Sequence, residues 1–584
     1  MATLVKVFFA FSLLALCATA SLQEQDILRN VKAIAENLIT KENDTDETTL
    51  PELYSITPHQ LKDRTVCDAC AIAIDVIISY RRSGANRQSM VEYIKKFCKK
   101  FTDWGSIPCD GYAEIEIDTI LFIIDNKRNL TPERVCAIYM PTHKCVDPQA
   151  DKWTVNIPPP LTPNEETSAP PNASETMKIL QITDIHYDPD YTPGSEADCG
   201  EPLCCQKGAP KSPDSAAGYW GDYHSCDMPW HSIENLMEQV KKEKYDLIYF
   251  TGDIISHRSW VTTVENNTKA IKQINQLFDE TFPNASNIFP ILGNHEPHPT
   301  DFYSPESQSR SKISTQWVFD LVADEWSRWL PAHTKPTIKK GGFYTVLVKK
   351  GIRVVALNSN VCYKNNLWLI YDDKDPNGQL QWLVDVLAEA EKNKEKVHVL
   401  SHIPPGEVEC HRQWSNQFRR IVERFSETIT AQFNGHTHYD ELRVFFNGSK
   451  VINVAFNGGS FTTYTGLNPN YRIYIVDKNN FNVVDFDNFV FNMTEANLQN
   501  DGSIKPRWFK LYSFKQAYGL DNTGSTQMAN LVDILRRNEA SIAEYFKYRV
   551  KDSDPLLKEG CDRNCLKQLV CSITAVETDE SLNC

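Results

Sequence analysis

Past its first twenty residues the chain holds no apolar run approaching the thickness of a bilayer, so the sequence offers no later helical anchor. Positive charge is also in short supply. Lys and Arg number 61 against 76 Asp and Glu, a formal net charge of −15. That sign disfavours general binding to phosphate backbones, and no nucleic-acid partner is expected. It opposes approach to an anionic membrane at neutral pH as well, a repulsion that protonation of His and carboxylates in an acidic compartment relieves. No internal repeat or long low-complexity tract stands out. At 584 residues the chain exceeds a single core, and two to four domains are expected.

The one apolar run opens the chain. Lys6, then Val7 to Cys17, then Ala18-Thr-Ala20 reads as a signal peptide over residues 1–20, too short to span. Of 17 Cys, Cys17 would leave with that peptide, and the even remainder of 16 suits full pairing in an oxidising compartment. Acceptor sequons at Asn43, Asn129, Asn172, Asn266, Asn284, Asn447 and Asn492 fit the same route. The expectation is a soluble, secreted or lysosomal glycoprotein.

Five separated stretches carry the chemistry: Asp184-Ile-His186, Gly252-Asp253, Gly293-Asn294-His295-Glu296, Ser401-His402 and Gly435-His436-Thr437-His438. They supply two Asp, one Asn and four His as candidate metal ligands, with His295 left over, and none contains a Cys. The absence of Cys argues against thiolate sites. A carboxylate can bridge two cations while imidazoles and an amide oxygen fill their other positions. Two metals about 3.5–4 Å apart are a device for in-line attack on phosphorus. Apolar runs at residues 178–182, 246–250, 287–292, 396–400 and 429–433 precede the five stretches and read as buried strands. Ligands at the carboxyl ends of such strands meet in one crevice. Helical segments fall between, at 233–241 and at 378–391, where Leu380, Leu383, Val384 and Leu387 repeat at helical spacing. The pattern resembles a calcineurin-like metallophosphoesterase over residues 177–495.

Upstream, residues 21–62 read as an extension, helical around 28–39 and acidic over 42–47. Cys67, Cys70, Cys98, Cys109, Cys136 and Cys145 then bracket four amphipathic helices: an apolar 71–80, one with Met90, Tyr93, Ile94 and Phe97 on a single face, one at 115–124, and 133–139 behind Pro132. Six Cys alone allow fifteen connectivities. This stretch, 63–147, resembles a saposin B-type domain. The resemblance implies pairs Cys67–Cys145, Cys70–Cys136 and Cys98–Cys109, and helices that open to contact or extract lipid. Packing on the neighbouring domain is the other reading of these helices. Lys95, Lys96, Lys99 and Lys100 read as a solvated helix face first and an anionic-lipid contact second. Residues 148–176, rich in Pro, read as an extended linker. Residues 496–584 read as helices, including 528–537 and 540–549, stapled by Cys561, Cys565, Cys571 and Cys584.

In this order the parts resemble the acid sphingomyelinase family of secreted and lysosomal zinc phosphodiesterases. Thr183-Asp-Ile-His-Tyr-Asp-Pro189, His402-Ile-Pro-Pro-Gly406, Thr463-Tyr-Thr-Gly-Leu-Asn-Pro469 and the run Cys199, Cys204, Cys205, Cys226 add to the likeness. The implied fold is an α+β multidomain chain: a helical saposin domain, a calcineurin-like α/β metallophosphoesterase sandwich and a helical C-terminal domain. Implied further pairs are Cys199–Cys204, Cys205–Cys226, Cys362–Cys410, Cys561–Cys565 and Cys571–Cys584. The resemblance assigns Asp184, His186, Asp253 and His438 to one Zn²⁺ and Asp253, Asn294, His402 and His436 to a second, with Asp253 bridging. Oxygen and imidazole donors of this kind also accept Mn²⁺ or Fe. It further implies hydroxide attack on sphingomyelin at a membrane surface, giving ceramide and phosphocholine, in a monomer. The poor alkoxide leaving group needs a proton, for which His295 and His257 are the candidate acids. Tyr464 falls near the phosphocholine, where its face would attract a quaternary ammonium, with plain packing as the other reading. His298 reads as a loop residue, and the aromatics from Phe481 to Phe491 as a core strand. Two alternatives stand beside this one: a related phosphodiesterase for soluble nucleotides, and a lipid-binding protein with a dead catalytic domain.

Overall fold

The computed structural model describes residues 24–40, 63–150, 152–161 and 175–584. The expected signal peptide, the extension's acidic stretch, and Asn43 and Asn172 lie outside them. Among the described residues twelve strands form two six-stranded sheets. The first, in the order β12-β11-β10-β1-β2-β3, is built from β1 (Thr176–Ile182), β2 (Leu247–Phe250), β3 (Ile288–Pro290), β10 (Asn470–Asp477), β11 (Val483–Val490) and β12 (Phe509–Ser513). The second runs β4-β5-β6-β7-β9-β8, from β4 (Tyr344–Lys349), β5 (Ile352–Ala356), β6 (Lys396–Leu400), β7 (Ile429–Asn434), β8 (Asp440–Asn447) and β9 (Lys450–Gly458). Both are mixed. β1 pairs parallel with β2 and antiparallel with β10, while β5, β6 and β7 run parallel.

The five apolar runs become β1, β2, β3, β6 and β7, and each is almost wholly buried because sheet packs on sheet. Tyr249 and Phe433, from opposite sheets, have ring centroids 4.9 Å apart. Helices Trp230–Val240 and Gln379–Lys392 stand where helical spacing placed them. The aromatics after Phe481 lie on β11, with Phe486 buried in the core.

The N-terminal part is helical: α1 (Glu24–Thr40), α2 (Asp63–Arg82), α3 (Arg87–Phe101), α4 (Ser106–Asn126) and α5 (Pro132–Tyr139). Disulfides Cys67–Cys145, Cys70–Cys136 and Cys98–Cys109 tie these helices together. Met90, Tyr93, Ile94 and Phe97 bury one face of α3 in the unit's core. That core continues into the α/β body, since Phe302, Trp368, Leu369 and Ile370 belong to the same buried cluster. Arg134 seals the joint by donating to the carbonyls of Ile370 (2.8 Å) and Leu369 (3.0 Å) and to Asp373 (2.8 Å). Packing on the neighbour therefore occupies part of these helices' apolar surface. Within the lysine cluster, Lys95 pairs with Glu92 and Glu114, and Lys99 with Asp110.

Two features differ from the sequence expectation. Residues 152–161, expected as a spacer, lie on the α/β body. Val155 is buried and its N–H donates to Gln417, while Arg424 donates to the carbonyls of Pro158 and Pro159. Side-chain donors satisfy a proline-rich main chain that cannot satisfy itself. The C-terminal region, expected as helical, also supplies β12 at the edge of the first sheet. Disulfides Cys199–Cys204, Cys205–Cys226, Cys362–Cys410, Cys561–Cys565 and Cys571–Cys584 complete the set in the described residues. No helix of the described residues is long and apolar enough to cross a membrane. Asn129, Asn266, Asn284 and Asn447 are exposed, whereas Asn492 is half-buried and donates to Asp554.

His398 sits fully buried between the sheets, accepting from the Tyr249 hydroxyl and donating to the Phe481 carbonyl, each at 2.8 Å. Burial holds its pKa down at about 4. The unfolded chain therefore takes up this proton first, near pH 6.5. The contribution is intact above that pH and is lost as pH falls toward 4, about 3 kcal/mol over the window. His398→Gln should lose that much less stability than the parent between pH 7.5 and pH 4 in urea unfolding. Equal losses would show that His398 is not a source of acid sensitivity.

Candidate metal centre and active site

Every candidate ligand stands in a loop just past a strand: Asp184 and His186 after β1, Asp253 after β2, Asn294 after β3, His402 after β6, His436 and His438 after β7. The carboxyl ends of strands from both sheets thus meet at one seam. The turns are tight. Asp184, His186, Asp253, His436 and His438 all have positive φ, between 41° and 74°. Non-glycine residues hold that region only when surroundings over-determine it, and such residues cluster at functional sites. The glycines beside them answer to space: a Cβ on Gly293 would lie 2.0 Å from Asp253 Oδ1 and one on Gly435 2.5 Å from Asp184 Oδ2.

The donor atoms form two groups. In the first, His186 Nε2 lies 3.2 Å from His438 Nε2 and 3.4 Å from Asp253 Oδ2, and Asp184 Oδ1 is 3.5 Å from His438 Nε2. In the second, His402 Nε2 is 3.1 Å from both Asp253 Oδ2 and Asn294 Oδ1, and His436 Nδ1 is 2.9 Å from Asn294 Oδ1. Asp253 Oδ2 faces both. Backbone carbonyls fix the tautomers: Nδ1–H of His186 donates to Ile255 at 2.7 Å, that of His402 to Thr251 at 2.7 Å and that of His438 to Tyr464 at 2.5 Å. Each Nε2 is then a bare lone pair. The Asn294 amide is fixed in the same sense, because its Nδ2 donates to Asp301 at 2.8 Å and turns Oδ1 inward. Lone pairs converging at such distances repel unless cations lie among them, and that donor set fits divalent metal ions. Electrostatics agree. Burial lowers the His402 pKa, but the charges of Asp253 and Asp184 outweigh it and push the imidazole up to about 10.

His257 and His295 lie as near to this centre as the other histidines. His257 joins His186 and His438, and His295 joins His186 and Asp253, in sets whose ligand atoms lie within 4.8 Å of one another. The His295 N–H donates to Asp253 Oδ1 at 2.9 Å, and burial brings its imidazole down to about 4. His257 is lowered well below the usual range by burial and by His295. Its Nδ1 is 2.9 Å from buried Asp227, and Tyr464 stacks on its ring at 3.9 Å. One face of Tyr464 is therefore already covered. His298 stands apart, bonded to Thr262.

Over the centre opens a cavity of about 920 Å³. Its lining includes Asp253, Asn294, His295, His257 and Tyr464, Trp104 and Tyr112 from the N-terminal helices, and Leu569 from a C-terminal helix. Sequence reading missed three supports. Asp301 orients Asn294. Asp227 holds His257 and accepts from Thr462 at 3.0 Å. Glu296 accepts from the N–H groups of Ile254 (2.5 Å) and Gly293 (2.7 Å), tying two ligand loops together. Glu296 was visible inside its motif, whereas nothing local marks Asp227 or Asp301.

Mixed sheets with phosphoesterase-type loops at their seam define a calcineurin-like metallophosphoesterase, and the family model described as calcineurin-like phosphoesterase matches residues 177–440. The family model for the acid sphingomyelin phosphodiesterase C-terminal region matches residues 447–584. The chain is 31% identical over 535 residues to sphingomyelin phosphodiesterase 1 of Caenorhabditis elegans, covering 89% of this chain and 93% of that protein. It is 37% identical over 417 residues to human sphingomyelin phosphodiesterase, 70% of this chain and 65% of the human protein. Human acid sphingomyelinase-like phosphodiesterase 3b is 29% identical over 435 residues, 70% of this chain and 90% of that protein. The chain belongs to the acid sphingomyelinase family. It is a phosphodiesterase.

Asp301→Ala should leave the Asn294 amide free to turn and weaken metal binding about 10–100-fold, the usual effect of removing a partner that orients a ligand. Zinc titration of chelator-stripped protein measures it. Unchanged affinity would mean that Asn294 is held by other contacts or is not a ligand.

Proposed function

We propose that this chain hydrolyses sphingomyelin to ceramide and phosphocholine with two Zn²⁺ ions. Asp184, His186, Asp253 and His438 hold one, and Asp253, Asn294, His402 and His436 the other. The observation that carries this reading is the convergence of bare acceptor atoms in two groups sharing Asp253 Oδ2. When bound, the ions lower the pKa of water and neutralise phosphoryl charge. The chain's own residues do the rest. His295, anchored through its backbone to Asp253, serves the leaving alkoxide as proton donor. His257, its Nδ1–H committed to Asp227, presents Nε2 as the second proton carrier. Tyr464, which lines the cavity, contributes to holding the choline cation.

Residues 63–147 act as a saposin-type domain that brings the active site to a lipid surface, and Trp104 and Tyr112 give the alkyl part of the substrate an apolar wall. Residues 1–20 are removed as a signal peptide, 21–62 extend the helical unit, 148–176 link it to the catalytic domain at 177–495, and 496–584 form the C-terminal domain. The protein works as a monomer, secreted or lysosomal, with glycans at its exposed sequons. A soluble nucleotide would use the same metals but leave Trp104, Tyr112 and Leu569 without an apolar partner. A dead lipid-binding domain would not retain every donor.

His295→Ala should keep two metals and lose turnover by about 10²–10⁴. If a metal leaves instead, His295 is a ligand and the assignment moves to the set it shares with His186 and Asp253. Trp104→Ala should reduce hydrolysis of sphingomyelin in liposomes far more than hydrolysis of a small soluble phosphodiester. Equal loss on both substrates, or faster hydrolysis of ATP than of sphingomyelin by the parent, would overturn the lipid reading.

A further inference from the structure

Lys551 follows the helix Glu539–Arg549 and is fully buried, behind the loop that lines the cleft and away from the cleft itself. Its ammonium donates to Ser460 O at 2.9 Å and to Ser460 Oγ at 2.8 Å. The Ser460 hydroxyl in turn donates to Thr462 O at 2.9 Å, so its oxygen is free to accept from Lys551. Neighbouring groups grip the same loop further along. The Ser553 hydroxyl donates to the Gly466 carbonyl, and Asn468 Nδ2 donates to the carbonyls of Lys551 and Asp552, each at 3.1 Å. Lys551 and Asp552 both hold positive φ, 56° and 55°, a conformation retained by non-glycine residues only under constraint. Residues 551–553 thus clip the loop 460–468 at both ends.

The inner edge of that loop is where the clip meets the chemistry. The Thr462 N–H donates to the Asp184 carbonyl at 2.9 Å, the Tyr464 carbonyl accepts Nδ1–H of His438, and the Thr462 hydroxyl donates to Asp227 at 3.0 Å. One loop therefore sets the backbone of one ligand, the tautomer of another and the partner of His257. Burial lowers the Lys551 pKa to about 7 against the pull of Asp184 and Asp440. An apolar side chain of similar length would fill this position without the desolvation penalty of an ammonium, if filling were its only task.

We propose that Lys551 is a positioning residue for the metal centre: by holding Ser460 it keeps the loop 460–468 in the form that aims His438 and Asp184, so that residues 551–553 complete a site they do not line. The inference rests on the two-metal reading above.

Lys551→Met keeps the length and removes the donors, and exposed Lys558→Met serves as a surface control. Each protein is stripped with chelator, reloaded with zinc, dialysed against zinc-free buffer and assayed for metal content, for thermal midpoint in the stripped state, and for amide exchange across residues 460–468. Lys551→Met should bind one of its two zinc ions about 10–100-fold more weakly. It should also exchange the loop amides faster, lower kcat on a small soluble phosphodiester more than it changes KM, and match the parent's midpoint when stripped. Lys558→Met should change none of these. Two tightly held zinc ions with unchanged exchange would overturn the inference. So would a lowered midpoint whose folded remainder binds zinc like the parent, since Lys551 would then be structural alone. Should Lys551→Met fail to fold, Ser460→Ala decides: zinc loss supports the link through Ser460, and full retention overturns it. A parent protein that never holds two zinc ions would instead refute the two-metal reading.

Discussion

A buried carboxylate facing two groups of bare imidazole and amide acceptors is the constraint around which this protein is arranged. Asp253 is almost wholly enclosed. Burial alone would favour its protonated form, but His402 and His295 hold it well below the usual carboxylate range. The same reciprocity pushes His402 up. Without cations the centre keeps its charge by favouring a proton on His402, whose Nδ1–H is already spent on a main-chain carbonyl. With cations the lone pairs find partners and no proton is needed. Repulsion among the donors and their fitness for metal are one property seen from two sides.

Holding such a cluster requires rigidity, and the fold supplies it from opposite directions. Strands of two sheets end at one seam, so loops from both converge there. Positive φ at five ligand residues would each cost about 1–3 kcal/mol in isolation. Here neighbouring loops bind one another: the Asp184 N–H donates to Gly252 O, the His186 N–H to Asp253 O, and the His436 N–H to the Asp184 carboxylate. Glu296 adds a further tie, since burial and the nearby Asp253 charge raise its pKa to about 8 while it accepts from the 254 and 293 amides. The strain is thereby shared over the whole seam.

How much of this was legible in the sequence follows from how local each feature is. The ligand stretches were legible because each packs its donors into two to four consecutive residues, three of them with a space-making glycine, behind an apolar run that reads as a buried strand. Helices with a clean apolar stripe, such as Gln379–Lys392, were legible for the same reason. Cysteine pairing was not derivable from spacing and came only with the resemblance to a known family. Asp227 and Asp301 carried no signal because their importance arises from contacts across 30 and 7 residues, respectively, in loops without periodicity. The docking of residues 152–161 escaped for a related reason. A proline run predicts an extended chain, but whether that chain is free depends on Gln417 and Arg424 some 265 residues away.

The N-terminal helices show how an amphipathic unit divides its apolar surface between stability and function. A four-helix unit of this size cannot bury all of its hydrophobic face internally. Part is spent on α1, whose Val31 is buried in the shared core. Part is spent on the α/β body, where Trp368 and Phe122 meet at 5.7 Å and Arg134 closes the edge against main-chain carbonyls. That joint fixes the unit's orientation, and the orientation brings Trp104 and Tyr112 to the mouth of the cleft, where Tyr112 packs at 6.0 Å against Trp260 of the catalytic body. A unit tethered only by its linker would present those aromatics to solvent at random. Here the surface that anchors the helices and the surface that lines the cleft belong to one packed unit, so the joint at Arg134 and Trp368 also sets where Trp104 and Tyr112 stand over the candidate ligands.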